Sequence, residues 1–243
     1  MQDDGHFDER VAASYDADAA MFDPAVVTPA VDLLAELADG GPVLEFGIGT
    51  GRIGLPLAER GLRVAGIDLS GAMVARLRAK SGGEVMEVAI GDLAETRVPG
   101  QFTLVYLVFN TITNLTTQAA QVACFQNAAN HLTPGGQFVV EVFVPALRHL
   151  PPGQHLLPFA LTDDHWGVDE YNTTTQAMTS HHIRMVDGRA ERFSVPLRYV
   201  WPAELDLMAR LAGLSLAHRW ADWHREPFTA ESTAHVSVWQ KPG

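Results

Sequence analysis

Val43-Leu44-Glu45-Phe46-Gly47-Ile48-Gly49-Thr50-Gly51 decides the fold of this chain. A short apolar run carries one acidic residue and gives way to three glycines at alternate positions, and a helical pattern follows over residues 52–60. Glycine lets the backbone turn tightly and lets a ligand come close to it. The stretch therefore has the form of a nucleotide-type ligand site on a glycine loop at the carboxyl end of a parallel strand.

Outward from this stretch, strands and helices alternate. Strand 43–47 and helix 52–60 are closed by Gly61, and strand 62–67 and helix 71–80 by Gly82-Gly83. Strand 84–89 leads to a loop at Asp92, and strand 102–108 to a polar segment from Asn110 to Thr117. Helix 117–132 is followed by Thr133-Pro134-Gly135-Gly136 and strand 137–144. Upstream, residues 5–20 read as a helix, and Thr28-Pro29 starts another that runs to Gly40-Gly41. This rhythm implies a parallel sheet with helices on both faces.

After Pro145 the texture changes. Residues 145–158 hold four prolines, and strand-like runs follow, with Asp187-Gly188 as a hairpin turn between Ile183-Arg184-Met185-Val186 and Phe193-Ser194-Val195. Helix 202–212 and strands 215–222 and 234–240 resume the α/β rhythm. Three regions result: a core with N-terminal helices over 1–145, an inserted antiparallel β segment over 146–200, and a return to the core sheet over 201–243. The insertion reads as a lid over a substrate region, and also as the surface of a possible homodimer.

Composition bounds the function. A net charge of -12 with no basic run argues against nucleic acid and anionic membranes, and favours a small-molecule substrate. The single cysteine, Cys124, rules out an internal disulfide and a multi-cysteine zinc site. No stretch approaches the roughly 20 apolar residues of a membrane span, and the acidic start Met1-Gln2-Asp3-Asp4-Gly5 does not read as a signal peptide. A cytoplasmic protein is expected, with no metal.

Three acidic residues fall at three successive strand ends: Glu45, Asp68 in Gly66-Ile67-Asp68-Leu69-Ser70, and Asp92 in Ile90-Gly91-Asp92-Leu93. Together with the glycine loop, these motifs resemble those of the class I S-adenosylmethionine-dependent methyltransferases over residues 10–145. The resemblance implies a doubly wound, Rossmann-like, seven-stranded sheet whose last strand is antiparallel. It implies that Glu45, Gly47 and Gly49 contact the methionine part of S-adenosylmethionine, that Asp68 accepts the ribose hydroxyls, and that Asp92 and the Leu93 N–H hold adenine, with Leu69 and Met73 against its faces. Val108 and Asn110, in Val108-Phe109-Asn110, would line the methyl end. Tyr15, in Ala12-Ala13-Ser14-Tyr15-Asp16, would close over the cofactor. The inserted sheet is similar in placement to that of sugar N-methyltransferases.

Two other readings compete. Gly49-Thr50-Gly51-Arg52-Ile53-Gly54 is a literal G-x-G-x-x-G, as in NAD(P)-dependent oxidoreductases. Against it, Glu45 would repel a pyrophosphate, and Asp92 suits adenine better than a second phosphate. A binding module that has lost transfer is the other.

Methyl transfer from a sulfonium needs positioning and exclusion of water, with a base where the acceptor must lose a proton. The candidate bases, for an O or N acceptor, are His182, His165, Tyr171 and Glu141. Glu141 is a carboxylate inside the apolar strand Val139-Val140-Glu141-Val142-Phe143, costly there unless paired or functional. His181 and His182 are strand neighbours and must face opposite sides, so only one can face an active site.

Overall fold

The computed structural model describes residue 7 and residues 9–16, 21–186 and 188–243. The core elements, in chain order, are α1 (Glu9–Tyr15), α2 (Pro24–Ala38), β1 (Val43–Phe46), α3 (Gly54–Glu59), β2 (Val64–Asp68), α4 (Gly71–Arg78), β3 (Glu87–Ile90), β4 (Phe102–Leu107), α5 (Gln118–His131) and β5 (Leu132–Phe143). The insertion contributes β6 (Leu156–Leu161), β7 (His165–Tyr171), β8 (Ala177–Val186) and β9 (Arg189–Arg198), and the core resumes with α6 (Pro202–Leu211), β10 (Ser215–Trp220) and β11 (Ala234–Gln240).

The seven core strands form one sheet in the order β10-β11-β5-β4-β1-β2-β3. β1 pairs in parallel with both β2 and β4, while β11 runs antiparallel to β5 and β10. From β1 the chain winds to β2 on one side and later to β4 on the other. A crevice must open at the carboxyl ends of these strands, where the winding reverses. The insertion is a separate four-stranded antiparallel sheet, β6-β7-β8-β9.

Local chemistry sets the element ends. Ser70 Oγ accepts the Met73 N–H (3.1 Å) and Thr117 Oγ1 accepts the Ala120 N–H (3.1 Å), capping α4 and α5. α2 begins four residues before the expected Thr28-Pro29, because Asp23 Oδ1 accepts the Ala25 N–H (2.8 Å) and Pro24 occupies the first turn. Pro29 then lies inside the helix, which its buried face of Ala30, Val31, Leu33, Leu34 and Ala38 holds in place. β5 begins at Leu132 rather than 137. The Thr133–Gly136 turn is absorbed as a register shift, with Phe102 opposite Leu132 and Leu104 opposite Gln137.

The helix expected over 5–20 is observed over Glu9–Tyr15, and the rest of that span lies largely outside the described residues. The inserted hairpin is longer than its sequence signal, with Val186 paired to Arg189 and Gly188 at φ 74°. Asp187 lies outside the described residues. His131 does not act as a cation at the end of α5. It accepts the Val98 N–H (3.1 Å) and donates to the Asn127 carbonyl (2.8 Å), and burial pulls its pKa down. Among the described residues no helix is long and apolar enough to cross a membrane.

On one face of the sheet, Phe125 of α5 meets Phe138 (5.0 Å between ring centroids) and Trp239 (5.3 Å), all three fully buried. Phe125→Ala removes the ring at the centre of this cluster, and a loss of about 3–5 kcal/mol of unfolding free energy is expected in urea titration. A loss well under 1 kcal/mol would mean that the site collapses around the change.

Candidate active site

The loop after β1 is built on positive φ angles at Gly47 (75°), Gly49 (54°) and Gly51 (84°). Gly47 also has no room for a side chain, since a Cβ there would lie 2.7 Å from Thr111 Cγ2. The Gly49 N–H donates to Asp68 Oδ2 (2.7 Å), while Asp68 Oδ1 accepts the Ser70 N–H (2.8 Å). One carboxylate thus joins the loop after β1 to the loop after β2.

These loops bound a cavity of about 970 Å³. Tyr15, Gly47, Gly49, Asp68, Leu69, Met73, Asp92 and Leu93 all line it, so most of the expected cofactor set converges on one wall. Asp92 Oδ1 accepts the Ala94 N–H there (2.7 Å). Tyr15 is held at the cavity by the chain beside it. Asp16 accepts the Thr50 hydroxyl (2.6 Å) and pairs with Lys80 (2.8 Å), and Lys80 also donates to the Thr50 carbonyl (2.8 Å). Nearby, Ser70 Oγ donates to the Phe7 carbonyl (2.6 Å), and Phe7 joins the cavity wall.

Glu45 lies beneath the loop rather than on the wall. It is 3% exposed, and neither its Oε2 nor the neighbouring Tyr106 hydroxyl completes a hydrogen bond among the described residues. Burial raises the Glu45 carboxyl to about 8, against the downward pull of the Arg52 charge. A Cβ on Gly54 would come within 2.8 Å of Oε2, so the glycine lets α3 approach this carboxylate.

At the end of β4 the cavity wall is formed one turn further along the chain. Val108 and Asn110 are not on the cavity wall; Thr111 and Asn114 of the 3-10 turn Thr111–Asn114 are. The reason is the backbone. Phe109 (φ 53°) and Asn110 (φ 63°) are both left-handed, a conformation that is strained for two residues in succession that are not glycine. Through this turn Val108 is buried in the core, and Asn110 Oδ1 reaches across to accept the Phe143 N–H (2.8 Å).

Glu141 holds the strained turn. Its Oε2 accepts the Phe109 N–H (2.9 Å) and its Oε1 the Trp223 indole N–H (2.9 Å). The Arg52 guanidinium lies 3.2 Å from the Phe109 ring centroid. Burial raises the Glu141 pKa, and the two donors lower it. The carboxylate is paired, away from the cavity wall.

The remaining base candidates sit on the insertion, off the same wall. His165 Nε2 and His182 Nδ1 share a hydrogen bond (3.0 Å), and the His182 ring stacks on Phe193 (4.6 Å). His181 faces the other side, bonding Ser194 Oγ (2.8 Å) and Glu170 Oε2 (3.2 Å). Tyr171 is buried against Tyr199 (5.6 Å), with its pKa raised by burial and by Asp169. Cys124 is fully buried in the core, as its helix position suggested.

Glu95, Thr96, Leu115, Thr116, Thr117 and Ala120 also line the cavity, without being singled out from sequence. The threonine-rich run 111–117 after the fourth strand was the available signal. Among the described residues, no group of three or more His, Cys, Asp and Glu is placed to hold a metal ion.

Known proteins agree with this architecture. A family model described as a methyltransferase domain matches residues 43–136. The cypemycin N-terminal methyltransferase of a Streptomyces species is 28% identical, covering 99% of this chain and 100% of its own. The structure of the CcbJ methyltransferase from Streptomyces caelestis is 36% identical with a TM-score of 0.79, over 88% of this chain and 89% of that one. An S-adenosylmethionine-dependent methyltransferase from Clostridium acetobutylicum, only 14% identical, shares the fold with a TM-score of 0.76 over 94% and 99% of the two chains.

The chain belongs to the class I S-adenosylmethionine-dependent methyltransferases. It is an enzyme, and S-adenosylmethionine is its cofactor. The residues present fit that cofactor: an incomplete buried carboxylate beneath the glycine loop suits an ammonium group, and Gly47, Gly49 and Asp68 together line the cavity above it.

Glu45 makes stability depend on pH. The folded chain keeps this carboxyl protonated to about pH 8, whereas the unfolded chain loses the proton near the ordinary value of 4.5. Between these values the unfolded state binds fewer protons. The contribution of this group is therefore full below the unfolded value and is lost as pH rises towards the folded one. In thermal unfolding followed between about pH 5 and 8, the ligand-free protein should lose Tm with rising pH relative to Glu45→Gln. Parallel curves for the two proteins would mean that Glu45 ionises normally.

Proposed function

We propose that the cavity holds S-adenosylmethionine with Glu45, Gly47 and Gly49 at the methionine part and Asp68 at the ribose. Asp92 and the Leu93 N–H meet adenine, Leu69 and Met73 lie against the ring, and Tyr15 covers it. The observation that carries this reading is Asp68, a carboxylate on the cavity wall that also fixes the two loops bounding it. The cofactor supplies an electrophilic methyl group on a sulfonium. Thr111 and Asn114 orient the acceptor in the role first expected of Val108 and Asn110, whose part is to shape the turn that presents them.

We further propose that the acceptor is the amine nitrogen of a small molecule or of a peptide terminus. Among the described residues, no histidine lines the cavity. An amine sheds one proton to water far more readily than a hydroxyl, so positioning with water excluded is sufficient chemistry for it. The acidic wall of Asp68, Asp92 and Glu95 draws cations, the sulfonium and an arriving ammonium alike. The relative named as a cypemycin N-terminal methyltransferase supports the same acceptor class. In this reading Glu141, Tyr171, His165 and His182 support structure rather than take the proton.

The insertion also suits a homodimer. Leu161, Trp166 and Ile183 lie side by side across three strands, 83%, 56% and 37% exposed, with Asp163 and Asp164 in the turn that follows Leu161 and Arg192 opposite Ile183 on the next strand. A twofold axis would set the acidic end of each row against the basic end of the other. Sedimentation should give a dimer for the wild type and a monomer for Trp166→Asp; a monomeric wild type removes this proposal.

Calorimetry with S-adenosylhomocysteine tests the cofactor reading. Asp68→Asn should lose about 10- to 100-fold in affinity while remaining folded, as expected for hydrogen bonds to a charged acceptor. Unchanged affinity would remove Asp68 from the ribose. Incubation with S-adenosylmethionine and matched amine and hydroxyl compounds, read by mass, should show methylated amines; transfer to hydroxyls alone would overturn the acceptor class.

A further inference from the structure

Where the inserted sheet returns to the core, buried polar side chains from several segments meet. Arg198, 4% exposed at the end of β9, donates from Nη1 to Gln121 Oε1 (2.5 Å) and from Nη2 to Glu204 Oε1 (2.8 Å) and Gln176 Oε1 (3.2 Å). Gln176, between β7 and β8, donates to Glu204 Oε2 (2.7 Å) and the Tyr199 carbonyl (3.0 Å), and Gln118 donates to Glu204 Oε1 (2.8 Å). Gln121 of α5 is fully buried, and its Nε2 donates to two carbonyl oxygens, those of Arg198 (3.1 Å) and Ile112 (3.1 Å).

Ile112 belongs to the Thr111–Asn114 turn, whose Thr111 and Asn114 form part of the cavity wall. A carboxamide has one acceptor oxygen and two N–H donors. Gln121 uses its oxygen and one donor contact on Arg198 and the other donor contact on the cavity turn. The turn cannot shift against β9 without leaving a buried polar group unpaired, which is costly in a water-free site. A buried ionic cluster of this kind is also a poor stabiliser compared with apolar packing of the same volume. What it provides is a fixed relation between the cavity turn and the inserted sheet.

We propose that Gln121 is a positioning residue that couples occupancy of the cofactor cavity to the order of the inserted sheet. A ligand that settles Thr111 and Asn114 also settles Ile112, and through the Gln121 carboxamide the end of β9. Cofactor binding therefore prepares the sheet, and by reciprocity an acceptor held by the sheet would tighten cofactor binding. The inference rests on the reading of the cavity as the S-adenosylmethionine site.

The test is hydrogen exchange of the whole chain with and without S-adenosylhomocysteine, for the wild type, Gln121→Met and Gln121→Glu. Methionine keeps the volume and removes every bond of the carboxamide. Glutamate keeps the contact to the Arg198 guanidinium but loses the donors to Ile112 and Arg198, and carries the test should the methionine protein fail to fold. In the wild type, ligand should slow exchange at the glycine loop, over residues 111–117, and in β8 and β9. In the variants the slowing should persist at the glycine loop and fall about fivefold or more in β8 and β9. The readout is the ligand-dependent difference, which a purely structural role for Gln121 would leave intact.

Undiminished ligand protection of β8 and β9 in a folded variant overturns the coupling. Wild-type protection confined to the glycine loop does the same. Absence of ligand protection anywhere, the glycine loop included, overturns instead the reading of the cavity.

Discussion

Two backbone N–H groups, from Gly49 and Ser70, converge on the Asp68 carboxylate, and the shape of the cavity depends on them. The Gly47 and Ile48 N–H groups already donate to the Ile67 carbonyl (2.8 and 3.2 Å), and Asp68 extends that junction to the tips of the loops after β1 and β2. Joined through one carboxylate side chain they form a single rim, with the Met73 N–H below it held by the Ser70 cap. The three positive-φ glycines would otherwise allow many loop conformations, so the carboxylate offsets the freedom that the close approach requires.

A second tier of ionisable side chains lies beneath that rim. Glu45, Arg52 and Glu141 are all largely removed from water, close to the strand ends. Arg52 donates to the Met21 carbonyl (3.2 Å) and covers the Phe109 ring. Glu141 ties the strained Phe109–Asn110 turn to Trp223 in the segment between β10 and β11. Left-handed non-glycine backbone persists only where its surroundings determine it, and here a carboxylate, a cation and the end of β5 do so together.

Much of this was legible in sequence because it depends on local rules. The apolar runs, the glycines and the acidic strand ends each follow from neighbours a few residues apart, and they place the sheet and most of the expected cavity wall. What was not legible depends on distant partners. No local pattern says that Phe109 and Asn110 leave the right-handed region, so the sequence offered Val108, Asn110, Thr111 and Asn114 together at this strand end without separating those that line the cavity from those that do not. Glu141 was recognised as an anomaly in an apolar strand, but its partner Trp223 lies far along the chain. Gln121 sits in a helix of small residues and gives no sign of its three contacts. Histidines on the insertion drew attention by residue type alone, and geometry spends them on each other and on Phe193.

The Asp16 carboxylate, fastened to Thr50 and Lys80, has a kinetic consequence. Tyr15 stands on the cavity wall next to that clasp, so in the proposed pose a nucleoside passing the N-terminal helix would meet the polar contacts at the glycine loop. Local opening of such contacts has its own free energy, well below that of global unfolding. In enzymes with a segment of this kind, the dwell time of the spent cofactor, rather than the chemical step, can set the pace of turnover. In the proposed pose the clasp would make the residence time of the product depend on Asp16 and its neighbour Tyr15, outside the sheet.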